Sequence, residues 1–373
     1  MEKIMPKRVS NYELFYDLVF VLAMRRLSSY LHTPHFHLGS FLVFLGSTSL
    51  VLSIWFYQTV YLNKYGERDR LDVLLNIPAM FIIGNFALML GLGLDEFGPR
   101  EFLLYNSSMI LAHLLILLQY YLRGKKIGFN HDIAASMKLL SMVIGYFVIL
   151  VICGYVFRLY RFENHLFALF WMVPYLFPLL YKGYNDIDRI NFPHLVERCQ
   201  LLTILTFGET VIGVIQAYPV YETPVLGIVF FAGISFMFVA YISQTHLTIE
   251  HHQRVSGSAM LYGHLFIILG VSLTTVGMEL LADHHHASYG LMLLSLGLVL
   301  YYVSLYSTSI YNKALYRFSI SHYLVSAILL GLGLIAMWLV RDYEVLLALV
   351  FALLCWEIPQ QRYRARQKAQ QTI

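Results

Sequence analysis

The chain has 373 residues, 58% of them hydrophobic and only 13% charged, with a formal net charge of +4 and a mean hydropathy of +0.64. A soluble domain carries about 25% charged residues, so an ordinary soluble enzyme, a disordered chain and a nucleic-acid-binding protein are excluded. The composition is that of an all-α, polytopic membrane protein.

Twelve apolar runs are long enough to span: residues 13–31, 38–63, 74–94, 102–122, 139–157, 165–181, 201–218, 225–247, 260–281, 289–311, 322–340 and 343–361. About 20 residues cross ~30 Å of hydrocarbon. Lipid offers the backbone no hydrogen-bond partner, so each run is expected as a helix. The first carries Asp17, Arg25 and Arg26, which no signal peptide does in its apolar region.

With a cytoplasmic N-terminus, 20 of the 26 Lys and Arg fall on the cytoplasmic side, Lys64, Arg123 and Arg198 among them. Only Arg100, Arg158, Arg161 and Arg341 fall outside, and Arg25 and Arg26 lie within span one. This is a positive-inside signature. It places both termini in the cytoplasm and the chain in the plasma membrane. The basic stretch 362–368 anchors that topology.

The halves echo one another. Phe15-Tyr16-Asp17 parallels Phe207-Gly208-Glu209, Gln58 parallels Gln244, and Phe81-Ile82-Ile83 parallels Phe266-Ile267-Ile268. Residues 1–190 and 191–373 are therefore expected as two six-helix repeats. Six is even, so the repeats would be parallel, with a path between them.

Charges inside spans are the functional candidates, because each costs at least about 2.5–3.5 kcal/mol at mid-bilayer unless it pairs, protonates or meets water. Glu209 sits at the middle of span seven and is expected as the proton or cation site. Glu13 and Asp17 share one helix face at i,i+4 and are read as ligands at the start of an ion path. Arg25 and Arg26 either pair with Glu209 or Asp17 or snorkel outward. His264 and Glu279 share span nine, and His113 is alone in span four, where a helix–helix hydrogen bond is the ordinary role. His194, Glu197, Arg198 and Glu13 form a possible cytoplasmic-face cluster. Pro174 and Pro178 are expected to interrupt span six. The outer-loop His32, His35, His37, Asp283, His284, His285 and His286 are read either as solvated polar loops or as groups that capture a divalent metal or sense acid pH, without the helical spacing of a fixed metal site. With no nucleotide, hydrolase, zinc or haem motif, neither a cofactor nor a catalytic residue is assigned.

Particular stretches resemble a known family. Residues 11–21, Asn-Tyr-Glu-Leu-Phe-Tyr-Asp-Leu-Val-Phe-Val, look like the opening signature of the bacterial low-temperature-requirement A (LtrA) family. His194-Leu195-Val196-Glu197-Arg198 with Gly208-Glu209 looks like its central signature, and Tyr262-Gly263-His264-Leu265 like a third. Trp55, Tyr61, Asn63, Lys64 and Tyr65 fit a fourth. The chain departs from the family at Arg25 and Arg26, at the end of span eight, and in the acidic cluster reduced to Glu67 and Asp69. Residues 15–20 are also similar to the F-S-D motif of a six-span potassium channel family, with Tyr16 in place of the serine.

These features lead to a secondary transporter or ion channel that handles a proton or cation through Glu209 and Asp17. Its partners are membrane lipid and a small ion or small-molecule substrate, with no nucleic acid; a homo-oligomer stays open. The alternatives are an integral-membrane enzyme acting on lipid through the Glu197 cluster, and a regulatory membrane protein without catalysis.

Overall fold

A computed structural model describes residues 7–33, 35–67, 69–89, 98–159, 162–181, 189–283 and 286–371. His284, His285, Arg161 and residues 90–94 of the third run lie outside them. Among the described residues there are twelve α-helices: α1 (Asn11–Ser28), α2 (Leu38–Tyr65), α3 (Arg70–Met89), α4 (Pro99–Ile127), α5 (His131–Val156), α6 (Val173–Leu180), α7 (Phe192–Ala217), α8 (Pro224–Ile242), α9 (Ser258–Leu281), α10 (Ala287–Ser307), α11 (Ile320–Leu339) and α12 (Glu344–Gln371). Nine stretches built on α2 to α5 and α7 to α11 are long and apolar enough to cross a bilayer. The chain is a multi-pass, all-α membrane protein.

One boundary departs from expectation with consequence. α7 begins at Phe192, not near residue 201. His194, Glu197 and Arg198 are therefore helical, and Arg198 is fully buried instead of standing in a cytoplasmic loop. Arg123, also counted as a loop charge, is buried in α4 at 1% exposure. Hydropathy alone ends a span where charge begins, whereas a charge that finds a partner can stay in the helix.

The chain divides into two compact units, residues 1–201 with 252–261, and residues 202–251 with 262–373. In the first, α2 is the spine. Trp55, Tyr57, Gln58, Thr59, Tyr61 and Asn63 are all buried on it, and α1, α4 and the 3-10 segment Phe162–Met172 pack around it. Gly46 admits the backbone oxygen of Ala168 into contact, where a Cβ would collide with it.

The sixth run is a 3-10 segment followed by the short α6. Proline has no N–H for the carbonyl four residues back. Pro174 thus leaves the Phe170 carbonyl without that donor, and Pro178 leaves the Pro174 carbonyl. Two tyrosines replace them: Tyr146 of α5 donates to Phe170 at 2.9 Å, and Tyr57 of α2 donates to Pro174 at 2.7 Å.

At one end of this unit Arg123 pairs with Glu67, Asp69 and Asp72, and Lys126 reaches Glu67 at 3.0 Å. Deeper, Gln58 and Gln119 both donate to Asn76 Oδ1, at 2.8 and 3.0 Å, joining α2, α3 and α4. The hydrogen bond from Lys126 and the charge of Arg123 hold the Glu67 carboxyl below the usual carboxylate range. A depressed folded pKa stabilises the fold above the unfolded value, ~4.3, and the contribution is lost as pH falls through the folded value. The difference in thermal midpoint between the native protein and Glu67→Gln should therefore shrink on acidification from neutral pH; a constant gap would show that the carboxylate contributes nothing through its charge.

In the second unit α9 and α10 touch backbone to backbone. A Cβ on Gly270 would lie 2.6 Å from Tyr301 N and 2.8 Å from Gly297 O. One on Gly277 would lie 2.5 Å from Leu294 N and 2.8 Å from Gly290 O. Two glycines seven residues apart on each helix thus face each other in antiparallel register, the small-residue contact that membrane helices use in place of hydrophobic drive. Met237, Tyr241, Val271, Met278, Tyr301, Phe351 and Cys355 fill the surrounding core.

Candidate functional site

The site lies in the first unit, where α1, α2 and the first turns of α7 meet. α1 is started by Ser10, whose hydroxyl accepts the Glu13 N–H at 3.3 Å. This sets Glu13 and Asp17 on one face, at the third and seventh helical positions. His194 and Arg198 hold the third and seventh positions of α7. The pairs meet in order: His194 Nε2 is 2.9 Å from Glu13 Oε2, and Arg198 Nη2 is 2.9 Å from Asp17 Oδ1. Both contacts advance one turn in the same direction, so α1 and the start of α7 run parallel, with two acids facing two bases.

α2 supplies the third wall. Trp55 Nε1 donates to Asp17 Oδ1 at 2.9 Å, and Arg198 donates to Thr59 Oγ1 at 3.3 Å while lying over the Trp55 ring. Asn63 contacts His194 Nδ1 at 3.1 Å. Glu13 is 2% exposed, and Asp17, His194 and Arg198 are 0% exposed. Among the described residues Asp17 Oδ2 and Arg198 Nε have no hydrogen-bond partner although buried. Arg198 Nη1 stands 3.9 Å from Glu13 Oε2.

Of the residues expected from sequence, the structure brings Glu13, Asp17, His194 and Arg198 together. Glu197 is directed elsewhere and accepts from the Val9 N–H at 3.0 Å. Asp17 takes its guanidinium from Arg198, in place of the Arg25 or Arg26 pairing entertained above; those two side chains are exposed in the last turn of α1. Glu209, His264 and Glu279 belong to the second unit. There Glu209 is half-buried on α7, His264 bonds Tyr241 at 2.9 Å, and Glu279 packs its carboxylate into the notch left by Gly213. His113 bonds the Met109 carbonyl of its own helix at 2.8 Å, in place of a neighbouring helix. His37 caps α2, and His286 pairs with Asp283 at 2.7 Å. Among the described residues no three His, Cys, Asp or Glu side chains cluster as metal ligands.

Trp55 and Thr59 were not singled out as site residues. Their signal is a polar stripe, Trp55, Thr59 and Asn63, at i,i+4 spacing on an otherwise buried helix.

The two stretches that supply the acids and the bases are the opening and central signatures noted above. The family model for the bacterial low temperature requirement A protein matches residues 8–357. The chain belongs to the LtrA family. Both signatures of this LtrA protein thus converge on one buried charge cluster, with Trp55 and Asn63 of the fourth pattern beside it. A search of curated proteins finds no match.

Proposed function

We propose that this LtrA protein is a proton-coupled secondary transporter of the plasma membrane, with the Glu13–Asp17–His194–Arg198 cluster as its proton site. The observation that carries the reading is the charge balance. Two carboxylates face one guanidinium, all at most 2% exposed, and with a neutral His194 these buried side chains sum to one negative charge, with the part-exposed Lys7 ammonium acting on Glu13 from the edge of the cluster. Such a charge inside a membrane protein is expensive, and a single added proton removes it. A metal cation fits less well, because Arg198 already holds Asp17 at 2.9 Å and repels it. The lipid-enzyme alternative needs a cluster open to the surface, which these burials disfavour.

Twelve spans, cytoplasmic termini and two parallel six-helix repeats complete the reading. Its support is the matched placement of Glu13 and Asp17 on α1 and of His194 and Arg198 on α7, the first helices of the two proposed repeats. Glu209 and Glu279, on the second unit's helices, are further carboxylates for the path.

The test is proton flux in liposomes holding the purified protein under pH, K⁺ and Na⁺ gradients. Asp17→Asn mimics the protonated, neutral cluster and should fold. Native flux that falls about tenfold or more in Asp17→Asn is expected. Native protein that moves no protons under any gradient, or an Asp17→Asn variant with native flux, would defeat the proposal. Glu209→Gln alongside reports whether that carboxylate shares the path.

A further inference from the structure

Asn63 bears on where the cluster keeps its proton, an inference that rests on the proton-site reading above. The backbone of Asn191 grips the Asn63 amide from both sides. Asn63 Oδ1 accepts the Asn191 N–H at 2.9 Å, and Asn63 Nδ2 donates to the Asn191 carbonyl at 2.8 Å. A backbone N–H only donates and a carbonyl only accepts, so the amide orientation is fixed. Its remaining N–H meets His194 Nδ1 at 3.1 Å. Nδ1 is therefore the accepting nitrogen, and the ring proton sits on Nε2, donated to Glu13 Oε2 at 2.9 Å. A second proton on His194 would have to sit on Nδ1, directly against an N–H.

The carboxylates differ in the room they offer. Glu13 Oε1 accepts the Ser10 hydroxyl at 3.1 Å, and its Oε2 takes the His194 proton. Asp17 Oδ1 accepts from Trp55 and Arg198, while Oδ2 is buried and has no hydrogen-bond partner among the described residues. A proton on Asp17 Oδ2 leaves every hydrogen bond of the cluster in place. The ionisable groups facing the cluster are Glu13, Tyr16 and Asp17 from α1, Lys7 before it, and His194, Arg198 and Cys199 from α7. α2 contributes the neutral Trp55, Thr59 and Asn63. With Asp17 protonated, Glu13 and Arg198 balance among the fully buried groups, and Lys7 stays at their part-exposed edge, held by the Leu62 and Gly66 carbonyls.

We propose that Asn63 is a positioning residue that locks His194 as a neutral Nε2–H donor, and that the exchangeable proton of the site resides on Asp17 Oδ2. Nitrogen-15 spectra of labelled histidine in lipid, with His194 assigned by difference from His194→Gln, test the first half. At a pH below the ordinary histidine value, ~6.5, His194 should keep the neutral Nε2–H signature. In Asn63→Asp, whose carboxylate accepts from Nδ1–H, it should convert to imidazolium. Infrared spectra test the second half: a protonated-carboxyl band should be present in the native protein, shift when aspartate but not glutamate carboxyls carry carbon-13, and be lost in Asp17→Asn. An imidazolium His194 in the native protein, or the absence of a band that shifts with labelled aspartate and is lost in Asp17→Asn, overturns the proposal. Should Asn63→Asp fail to fold, the other spectra still decide it. Neither readout needs flux. An Asp17 band without native transport would sink the transporter and spare this assignment, and flux with a charged His194 would do the reverse.

Discussion

Arg198→Met should be the most damaging single substitution in the first unit. Methionine is close in length and apolar, so packing against Trp55 is largely kept, and what disappears is the charge. Asp17 then loses its partner at 2.9 Å, and Glu13 loses the guanidinium at 3.9 Å. Breaking a buried pair from one side costs about 3–5 kcal/mol, because the other charge stays buried without compensation. The thermal midpoint in detergent should fall accordingly. Adding Glu13→Gln to Arg198→Met should recover part of the loss, because it removes the charge left buried, and neighbours in one network couple by about 0.5–3 kcal/mol. Arg198→Lys should fall between: the charge survives, but one ammonium cannot serve Asp17 and Thr59 with the planar fork that does so now. An Arg198→Met protein as stable as the native one would mean that the acids are already neutral, and the pairing would lose its energetic meaning.

Gly277→Leu and Gly270→Leu should be comparably damaging in the second unit, for a steric reason. The first added carbon alone would lie 2.5–2.8 Å from backbone atoms of α10 at Gly277, and 2.6–2.9 Å at Gly270. Backbone cannot rotate away as a side chain can, so the helices would have to separate. Overpacking costs typically about 1–3 kcal/mol even where side chains can yield, and the loss here should reach or exceed that range. Gly331→Ala is the control, because no heavy atom lies within 4 Å of a Cβ built there. It removes a flexible residue from α11 and should be neutral or stabilising by up to ~1 kcal/mol. The yield of monodisperse protein and its melting temperature separate the outcomes. If Gly277→Leu and Gly331→Ala behave alike, the α9–α10 contact is not as close as described.

The sequence by itself determined the class of this protein and the approximate course of its long apolar helices, though not that α7 starts at Phe192. Apolar runs long enough to span can only be helices where the backbone has no water to bond, and that rule acts locally, so it can be read from the chain. The interruption at Pro174 and Pro178 was equally local. The direction of Glu13 and Asp17 to one face followed from helical spacing alone. Tertiary structure decided which charges pair. Glu13 and His194 are 181 residues apart; the sequence allowed them in one cytoplasmic-face cluster, but nothing in it said that His194 bonds Glu13 or that Asp17, in place of Glu197, completes the group. For the same reason hydropathy placed Arg198 in a loop. A guanidinium reads as a solvated end of a span until its carboxylate is found, and that carboxylate comes from the far end of the chain. The clamp of Asn63 on Asn191 and the glycine register of α9 and α10 belong to the same kind. Each is a fit between surfaces that exist only once helices distant in sequence have packed.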